Sequence, residues 1–401
     1  MSRWSLLRSS IGGKCETGAA SIHNFYGGFD RLLQSRKVIW LGFEFKFEVQ
    51  VHLSPEQQLL VLLEAADAYM CRVDSAECAV TLTCEVGDEE RVKASVEQML
   101  AAAAAANERR VSLLSIEEGG SAVKVQISHK TLIPMLSRAE FMMYTIAPNT
   151  CDVFTRERPR SMGVGAKGLL SNIIHDGIDN TGNVRVWEAE QILLIYLSSI
   201  VQNGELELSG KSVLELGGGM TGLCGLGLAR LCRRRGIGNV RVTITDGHPD
   251  SVRNQKVCIS MNDTVDLRAY LPPAPVTASL LRWSLGDKHG DLERLRVENG
   301  QERFDFILAA DCLFFQDFHD DLLWLLDNAL AEMNGVVYLL QPRRGDTMAK
   351  FLEKASQVFE ADVQENFCDE ITAQLSRASA EPNSGFCANV HTPILVKLKR
   401  R

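Results

Sequence analysis

Eleven cysteines are scattered over 401 residues without a single C-x-x-C pair, and none is grouped with histidine. That spacing offers no zinc site, and unpaired cysteines of this kind suit a reducing compartment. No apolar run approaches the roughly 18 residues that a membrane span needs. Basic residues are in the minority, 43 Lys+Arg against 51 Asp+Glu, for a net charge of −8. A general nucleic-acid binder needs a basic footprint that this balance does not supply. There is no G-x-x-x-x-G-K-[ST] loop, which removes the usual nucleotide triphosphate hydrolysis. Zinc-peptidase H-E-x-x-H, EF-hand and G-x-S-x-G patterns are also missing.

The remaining composition is that of a globular chain, 45% hydrophobic and 23% charged. Its length accommodates two domains, or one large domain with a substantial extension. At the start, Arg3, Arg8 and Lys14 precede the first acid, Glu16. This has a faint likeness to a mitochondrial transit peptide, without its length or amphipathic repeat.

Alternation of Phe43, Phe45, Phe47, Val49 and Val51 with polar residues predicts a half-buried strand. Ser54-Pro55-Glu56-Gln57 then reads as N-cap, first-turn proline and capping-box partner of a helix running towards Arg72. A second helix is expected over Glu89–Arg110, with six alanines at 101–106 that read as filler of high helix propensity. Val111–Ile116 and Ala122–Ser128 predict a hairpin, and Phe141–Ile146 with Cys151–Thr155 another. From Trp187 the pattern changes to alternation: a helix to about Gln202, strand 212–216, helix 221–235, strand 240–245, then a helix from Pro249 to near Asn262. Strands near 278–283, 304–310 and 335–341 follow, with helices near 316–331 and 345–358. Such alternation implies an α/β, mostly parallel, doubly wound sheet whose ligands sit at the carboxyl ends of the strands.

Ser212-Val213-Leu214-Glu215-Leu216-Gly217-Gly218-Gly219-Met220-Thr221-Gly222 carries the strongest chemical signal. Gly217, Gly219 and Gly222 satisfy G-x-G-x-x-G, a spacing that lets backbone approach a nucleotide-like ligand. Glu215 sharpens it. A carboxylate here repels a pyrophosphate, whereas S-adenosyl-L-methionine carries a sulfonium and an ammonium and no phosphate. The competing reading is a glycine turn with a capping acid.

Other strand ends add candidates. Asp246 follows the second strand, where an acid either accepts hydrogen bonds from ribose hydroxyls or caps the next helix. Trp283 either packs on an adenine face or closes the core. Asp311, between apolar strand and apolar loop, is costly there without a partner; it either receives a substrate ammonium or caps a helix. Trp187 either walls the methionine end of a cofactor or fills the core.

Five segments occur in a telling order: Asp179-Asn180-Thr181-Gly182-Asn183-Val184-Arg185-Val186-Trp187, Leu214 to Thr221, Leu281-Arg282-Trp283, Ala310-Asp311-Cys312-Leu313-Phe314 and Pro342-Arg343-Arg344-Gly345. Together they resemble the calmodulin-lysine methyltransferase branch of the seven-stranded protein-lysine methyltransferases. The resemblance covers about residues 175–401, with a shorter echo at Arg3-Trp4-Ser5-Leu6-Leu7-Arg8. It implies a seven-stranded, doubly wound Rossmann-like methyltransferase sheet with an N-terminal α+β extension. Three regions follow from it: a variable, partly disordered 1–110, a small β-rich extension over 111–180 and a methyltransferase domain over 181–401. Residues 36–110 depart from the family, as an insertion or a gene-model error.

The resemblance also implies that Trp187, Glu215, Gly217, Gly219, Asp246 and Trp283 hold S-adenosyl-L-methionine, a set to which the glycine spacing adds Gly222, with Asp311 and Phe314 near the acceptor lysine. No metal is expected. The implied substrate is calmodulin and the product trimethyl-lysine; separately, with no secretory signal seen, the expected location is cytosol and nucleus, and the expected state a monomer. Because calmodulin is acidic, docking needs local basic patches, for which Arg156, Arg158, Arg160, Lys167, Arg343 and Arg344 are candidates. The rival readings are another protein-lysine substrate (a chaperone or elongation factor), an NAD-dependent oxidoreductase, and a non-catalytic cofactor-binding interaction protein.

Overall fold

The computed structural model describes residues 33–38, 45–48, 53–73, 77–83, 89–106, 108, 111–116, 122–128, 140–146, 151–157, 174–175, 178–179, 186–268, 275–314, 316–343, 345–381 and 388–401. The chain divides into two compact units. One comprises 1–36, 142–155 and 163–401; the other comprises 37–141 and 156–162.

The chain enters on β1 (Leu33–Val38), then passes into the second unit through β2 (Phe45–Glu48), α1 (Pro55–Val73), β3 (Glu77–Thr83), α2 (Glu89–Ala105), β4 (Val111–Ile116) and β5 (Ala122–Ser128). The last four strands form a sheet in the order β2-β3-β5-β4, with β2 and β3 parallel and the other pairs antiparallel. Leu59, Leu62, Leu63, Val80, Leu82, Val96, Met99, Val123, Val125 and Ile127 make one apolar core beneath the two helices. The boundary expected at 110/111 falls between α2 and β4 of this one sheet. Of the strand expected at 43–51, Phe45–Glu48 is seen and the flanking positions lie outside the described residues.

The capping box at the start of α1 forms as its sequence requires. The Ser54 amide donates to Gln57 Oε1 at 3.0 Å, and the Gln57 amide donates to Ser54 Oγ at 3.3 Å. Ser54→Ala is expected to cost about 1 kcal/mol in urea unfolding of this unit; an unchanged midpoint would contradict the cap.

The chain returns on β6 (Glu140–Ile146) and β7 (Cys151–Glu157), which join β1 in a sheet of order β1-β6-β7. Most of the second unit's sequence thus lies between β1 and β6, two strands that pair with each other. Tyr144, Ile146, Cys151 and Val153 are buried in the same apolar cluster as the first unit's helices. Asn262 anchors β7 by accepting from the Phe154 amide and donating to the Phe154 carbonyl, at 2.9 and 2.7 Å. The fully buried Arg230 donates to the Asp152 and Asn262 carbonyls beside it.

After the short strands β8 (Ile174–His175) and β9 (Ile178–Asp179) come α3 (Glu188–Gln202), β10 (Ser212–Leu216), α4 (Leu223–Arg234), β11 (Arg241–Asp246), α5 (Pro249–Arg268), β12 (Val276–Leu280) and α6 (Asp291–Asn299). Then follow β13 (Phe306–Ala310), α7 (His319–Ala329), β14 (Val336–Pro342), α8 (Thr347–Ala355), β15 (Phe359–Gln364), α9 (Asp369–Ala380), α10 (Ala388–His391) and β16 (Pro393–Arg400). Their seven-stranded sheet has the order β12-β11-β10-β13-β14-β16-β15. Neighbours are parallel except β16, which runs antiparallel to both β14 and β15.

The sheet is therefore α/β and doubly wound, with helices packed on both faces. Val213, Leu193, Leu226 and Ile244 belong to one apolar layer, and Leu214, Leu216, Leu325 and Phe351 to the other. Strand order reverses between β10 and β13, the switch point at which such sheets open a crevice. The register sets Leu216 beside Ala309, so the glycine turn and the Asp311 segment leave the sheet side by side.

Candidate active site

Gly217, Gly219 and Gly222 all adopt left-handed backbone, with φ of +61°, +59° and +59°. The turn they make is clamped from several sides. The Gly218 amide donates to the Thr245 carbonyl at 2.9 Å, and Thr245 Oγ1 donates to the Glu215 carbonyl at 2.6 Å. From α5, Asn254 Nδ2 and Gln255 Nε2 donate to the Met220 and Gly219 carbonyls, both at 2.7 Å.

Three carboxylates converge on the amides of residues 219–225. Glu190, from the first turn of α3, accepts from the Leu223 and Cys224 amides. Glu215 Oε2 accepts from Gly225 at 3.0 Å, and Asp246 Oδ2 accepts from Gly219 at 2.9 Å. The first three amides of α4 are thereby satisfied by buried acids. A helix start ordinarily offers those amides to an anion; here the anion site is filled from within.

Glu215 was expected to face a cofactor, yet its carboxylate points under the turn to the helix. Strand alternation explains this: Leu214 and Leu216 share one face of β10, so Val213 and Glu215 lie on the other, beneath α4. The contact also explains Gly225, where a Cβ would stand 2.6 Å from Glu215 Oε2.

Burial pushes the Glu215 carboxyl up to about 7; the Gly225 amide opposes the rise and the Asp246 charge adds to it. The native state then holds this proton more tightly than the unfolded chain does. The resulting stability is fully present below the ordinary carboxylate value of 4.5 and is lost as pH rises through about 7. Glu215→Gln is expected to flatten the fall in melting temperature across that window. An identical slope in the variant would contradict the assignment.

Asp246 is also buried, and its Oδ1 accepts from the His248 amide at 2.8 Å. That bond turns the chain towards Pro249 at the start of α5, but the cap itself is His248, whose Nδ1 accepts from the Asp250 amide at 3.2 Å, so the capping reading of Asp246 is not met. Trp283 is half-buried against the same turn: its Cζ2 lies 3.3 Å from where a Gly217 Cβ would stand, and Cys312 Sγ lies 3.2 Å away. Asp291 fixes the Trp283 loop by accepting from the Arg282 amide at 3.0 Å and from its Nε at 2.7 Å. Trp187 is half-buried at the N-cap of α3, two residues before the first of its buried side chains.

Asp311 leaves β13 with φ of +56°, and its amide donates to the Leu340 carbonyl at 2.8 Å. Phe318 occupies the N-cap of α7, so Asp311 does not cap that helix. Gln341 Nε2 donates to Asp311 Oδ1 at 2.9 Å. Phe314 is half-buried at the end of this turn, and Leu313 is buried. His319, buried in the first turn of α7, pairs its Nε2 with the Leu313 carbonyl at 3.0 Å. Burial holds its imidazole below the ordinary value, against the bond to Leu313.

Glu190 and Gln341 were missed by reading the sequence, although each leaves a trace. Glu190 shares a helix face with the buried Leu193, Leu194 and Leu197, and Gln341 is the polar residue inside the buried strand Val336–Pro342. Among the docking candidates, Arg156 is buried and Arg343 is paired with Glu365. Arg158, Arg160, Lys167 and Arg344 lie outside the described residues.

The turn fits a phosphate-free cofactor, since the buried Glu190 and Glu215 leave no helix amide of the first turn for a pyrophosphate. Thr221 Oγ1 and Gln255 Oε1 are buried at the same turn without a hydrogen-bond partner. Among the described residues, no group of three or more His, Cys, Asp or Glu side chains is arranged to hold a metal ion. No described helix is long and apolar enough to cross a membrane.

Comparison with known proteins agrees with this chemistry. Residues 171–358 match the sequence model described as "Lysine methyltransferase". Calmodulin-lysine N-methyltransferase of Arabidopsis thaliana is 31% identical over 182 residues, 45% of this chain and 52% of that protein. The chain thus spans about half the length of that relative. Protein N-lysine methyltransferase METTL21A of Mus musculus is 31% identical over 177 residues, 43% of this chain and 67% of its own length. A solved phosphoethanolamine N-methyltransferase 1 of Haemonchus contortus aligns over 90% of this chain and 76% of its own, at 11% identity and a TM-score of 0.33. This chain belongs to the lysine methyltransferase family.

Proposed function

We propose that this chain methylates a lysine of a protein, using S-adenosyl-L-methionine, and that the protein is calmodulin. The observation carrying the cofactor reading is the occupation of the Leu223, Cys224 and Gly225 amides by Glu190 and Glu215. A dinucleotide's pyrophosphate would need those amides, which sets the oxidoreductase reading aside. S-adenosyl-L-methionine supplies a methyl group activated on its sulfonium.

The proposal gives Trp187, Gly217, Gly219, Gly222, Asp246 and Trp283 the task of holding that cofactor. Glu215 acts one step removed, by shaping the start of α4. Asp311 and Phe314 sit beside the acceptor lysine in this reading. A lysine near pKa 10.4 must lose a proton before it attacks. An apolar, aromatic-lined pocket favours the neutral amine, while a carboxylate acting at full strength would favour the ammonium. Asp311 therefore orients the amine, and the proton leaves to water. Alignment of the reacting groups supplies most of the rate.

Calmodulin is favoured by the name of the Arabidopsis relative and by the Asp311-Cys312-Leu313-Phe314 and Pro342-Arg343-Arg344-Gly345 segments. Trimethylation, a monomeric state and a cytosolic and nuclear location belong to the same proposal. Incubation with methyl-labelled S-adenosyl-L-methionine, recombinant calmodulin and cell extract tests it. Label on calmodulin supports the reading. Label on another protein redirects the substrate, and bound cofactor with no labelled protein favours a binding module.

A further inference from the structure

We propose that Gln341 is the positioning residue for the Asp311 carboxylate, an inference that rests on the lysine reading above. Gln341 is 1% exposed within a strand of otherwise apolar character. A buried amide is unfavourable there unless both of its ends are bonded. Both are: Nε2 donates to Asp311 Oδ1 at 2.9 Å, and Oε1 accepts from the Leu313 amide at 3.0 Å.

The orientation of the amide follows from its partners. The Leu313 amide is a donor and needs an oxygen, which leaves the nitrogen for the carboxylate. With the Asp311 amide on the Leu340 carbonyl, three bonds staple the turn 311–313 to residues 340–341 of the next strand. His319 Nε2 lies 3.0 Å from the Leu313 carbonyl, adding a fourth contact to the turn. The backbone of Asp311 is left-handed at φ +56°, a conformation that persists only where its surroundings enforce it.

Only an amide meets both demands. A glutamate in this place would offer acceptors alone and would face Asp311 with like charge. A methionine of similar volume would meet neither demand. Gln341 also donates to Asp311 without adding a positive charge beside it.

Gln341→Glu and Gln341→Met separate positioning from packing. Each is expected to lose roughly 10- to 100-fold in kcat, with KM for the protein and cofactor affinity within about two-fold. In Gln341→Glu, activity relative to the parent chain should recover about ten-fold between about pH 8.5 and about pH 6, because the introduced carboxyl, once protonated, can donate again. Gln341→Met should show no such recovery. Equal losses in both variants at every pH would overturn the proposal.

Melting temperature supplies a readout independent of methylation. Gln341→Glu should be destabilised more at the higher pH, and adding Asp311→Asn should restore it by exchanging donor and acceptor. That restoration, with a parent chain that itself methylates no protein, would support the pairing and defeat the lysine reading instead. No restoration, with parent-like pH behaviour of the single variant, would overturn the pairing.

Discussion

Asp311→Asn is expected to lose roughly 10²-fold in turnover while binding S-adenosyl-L-methionine within about two-fold of the parent chain. The substitution is chosen for what it leaves in place. Asn tolerates left-handed backbone about as well as Asp, so φ of +56° survives. An Asn oxygen can still accept from Gln341 Nε2, which keeps the turn stapled to β14. What disappears is the negative charge offered to the amine. Single-turnover kinetics alongside calorimetry of cofactor binding separate these effects. Full turnover in the variant would remove Asp311 from the reaction. A joint collapse of turnover, cofactor binding and melting temperature would make it a structural residue.

Gly222→Ala is expected to destabilise the first unit by about 2–4 kcal/mol, a fall in melting temperature of about 10 °C. Two costs combine at this position. A Cβ would stand 2.4 Å from Ile244 Cγ2 and 2.9 Å from Cδ1, and 3.4 Å from Glu215 Oε2. The residue must also keep φ at +59°, which an alanine adopts at a cost. Ile244→Ala empties core volume and costs stability of its own, so relief of the clash is read as coupling: the double variant should be less destabilised than the sum of the two single variants. A melting temperature within about 2 °C of the parent would show that the turn does not approach β11 as described.

The strand-to-helix turn was legible because its signals are local. Apolar runs ending in glycine or aspartate mark 212–216 and 241–246, and turn residues mark the hairpin of 111–116 and 122–128. The capping box at Ser54 was legible for the same reason. Helix α6 was not: most of Asp291–Asn299 is polar, and only Leu292 and Leu295 bring apolar side chains into its core, too few for a periodic pattern. The helix starting at Pro249 runs on to Arg268, past its apolar stretch. The return of β6 to β1 across the whole second unit is a non-local pairing that no local pattern announces.

Within the site, Glu215 and Asp246 were identifiable as acids at strand ends, but their directions were not. Glu215 turns under α4 because of its parity with Val213, and Asp246 divides its oxygens between Gly219 and His248. Both are geometric outcomes of the strands pairing. Gln341 and Glu190 were hidden because neither belongs to a motif. Each acts on a segment far away in sequence, Gln341 on 311–313 and Glu190 on 223–224.

Transfer of methyl groups to a protein lysine is tested most directly by peptide mass mapping. Recombinant calmodulin is incubated with the chain and S-adenosyl-L-methionine, with the Asp311→Asn chain in parallel. The account predicts methyl groups accumulating on one calmodulin lysine with the parent chain and hardly any with the variant. Unmodified calmodulin, together with no methylated lysine in any protein of a cell extract while the chain binds the cofactor, would contradict it.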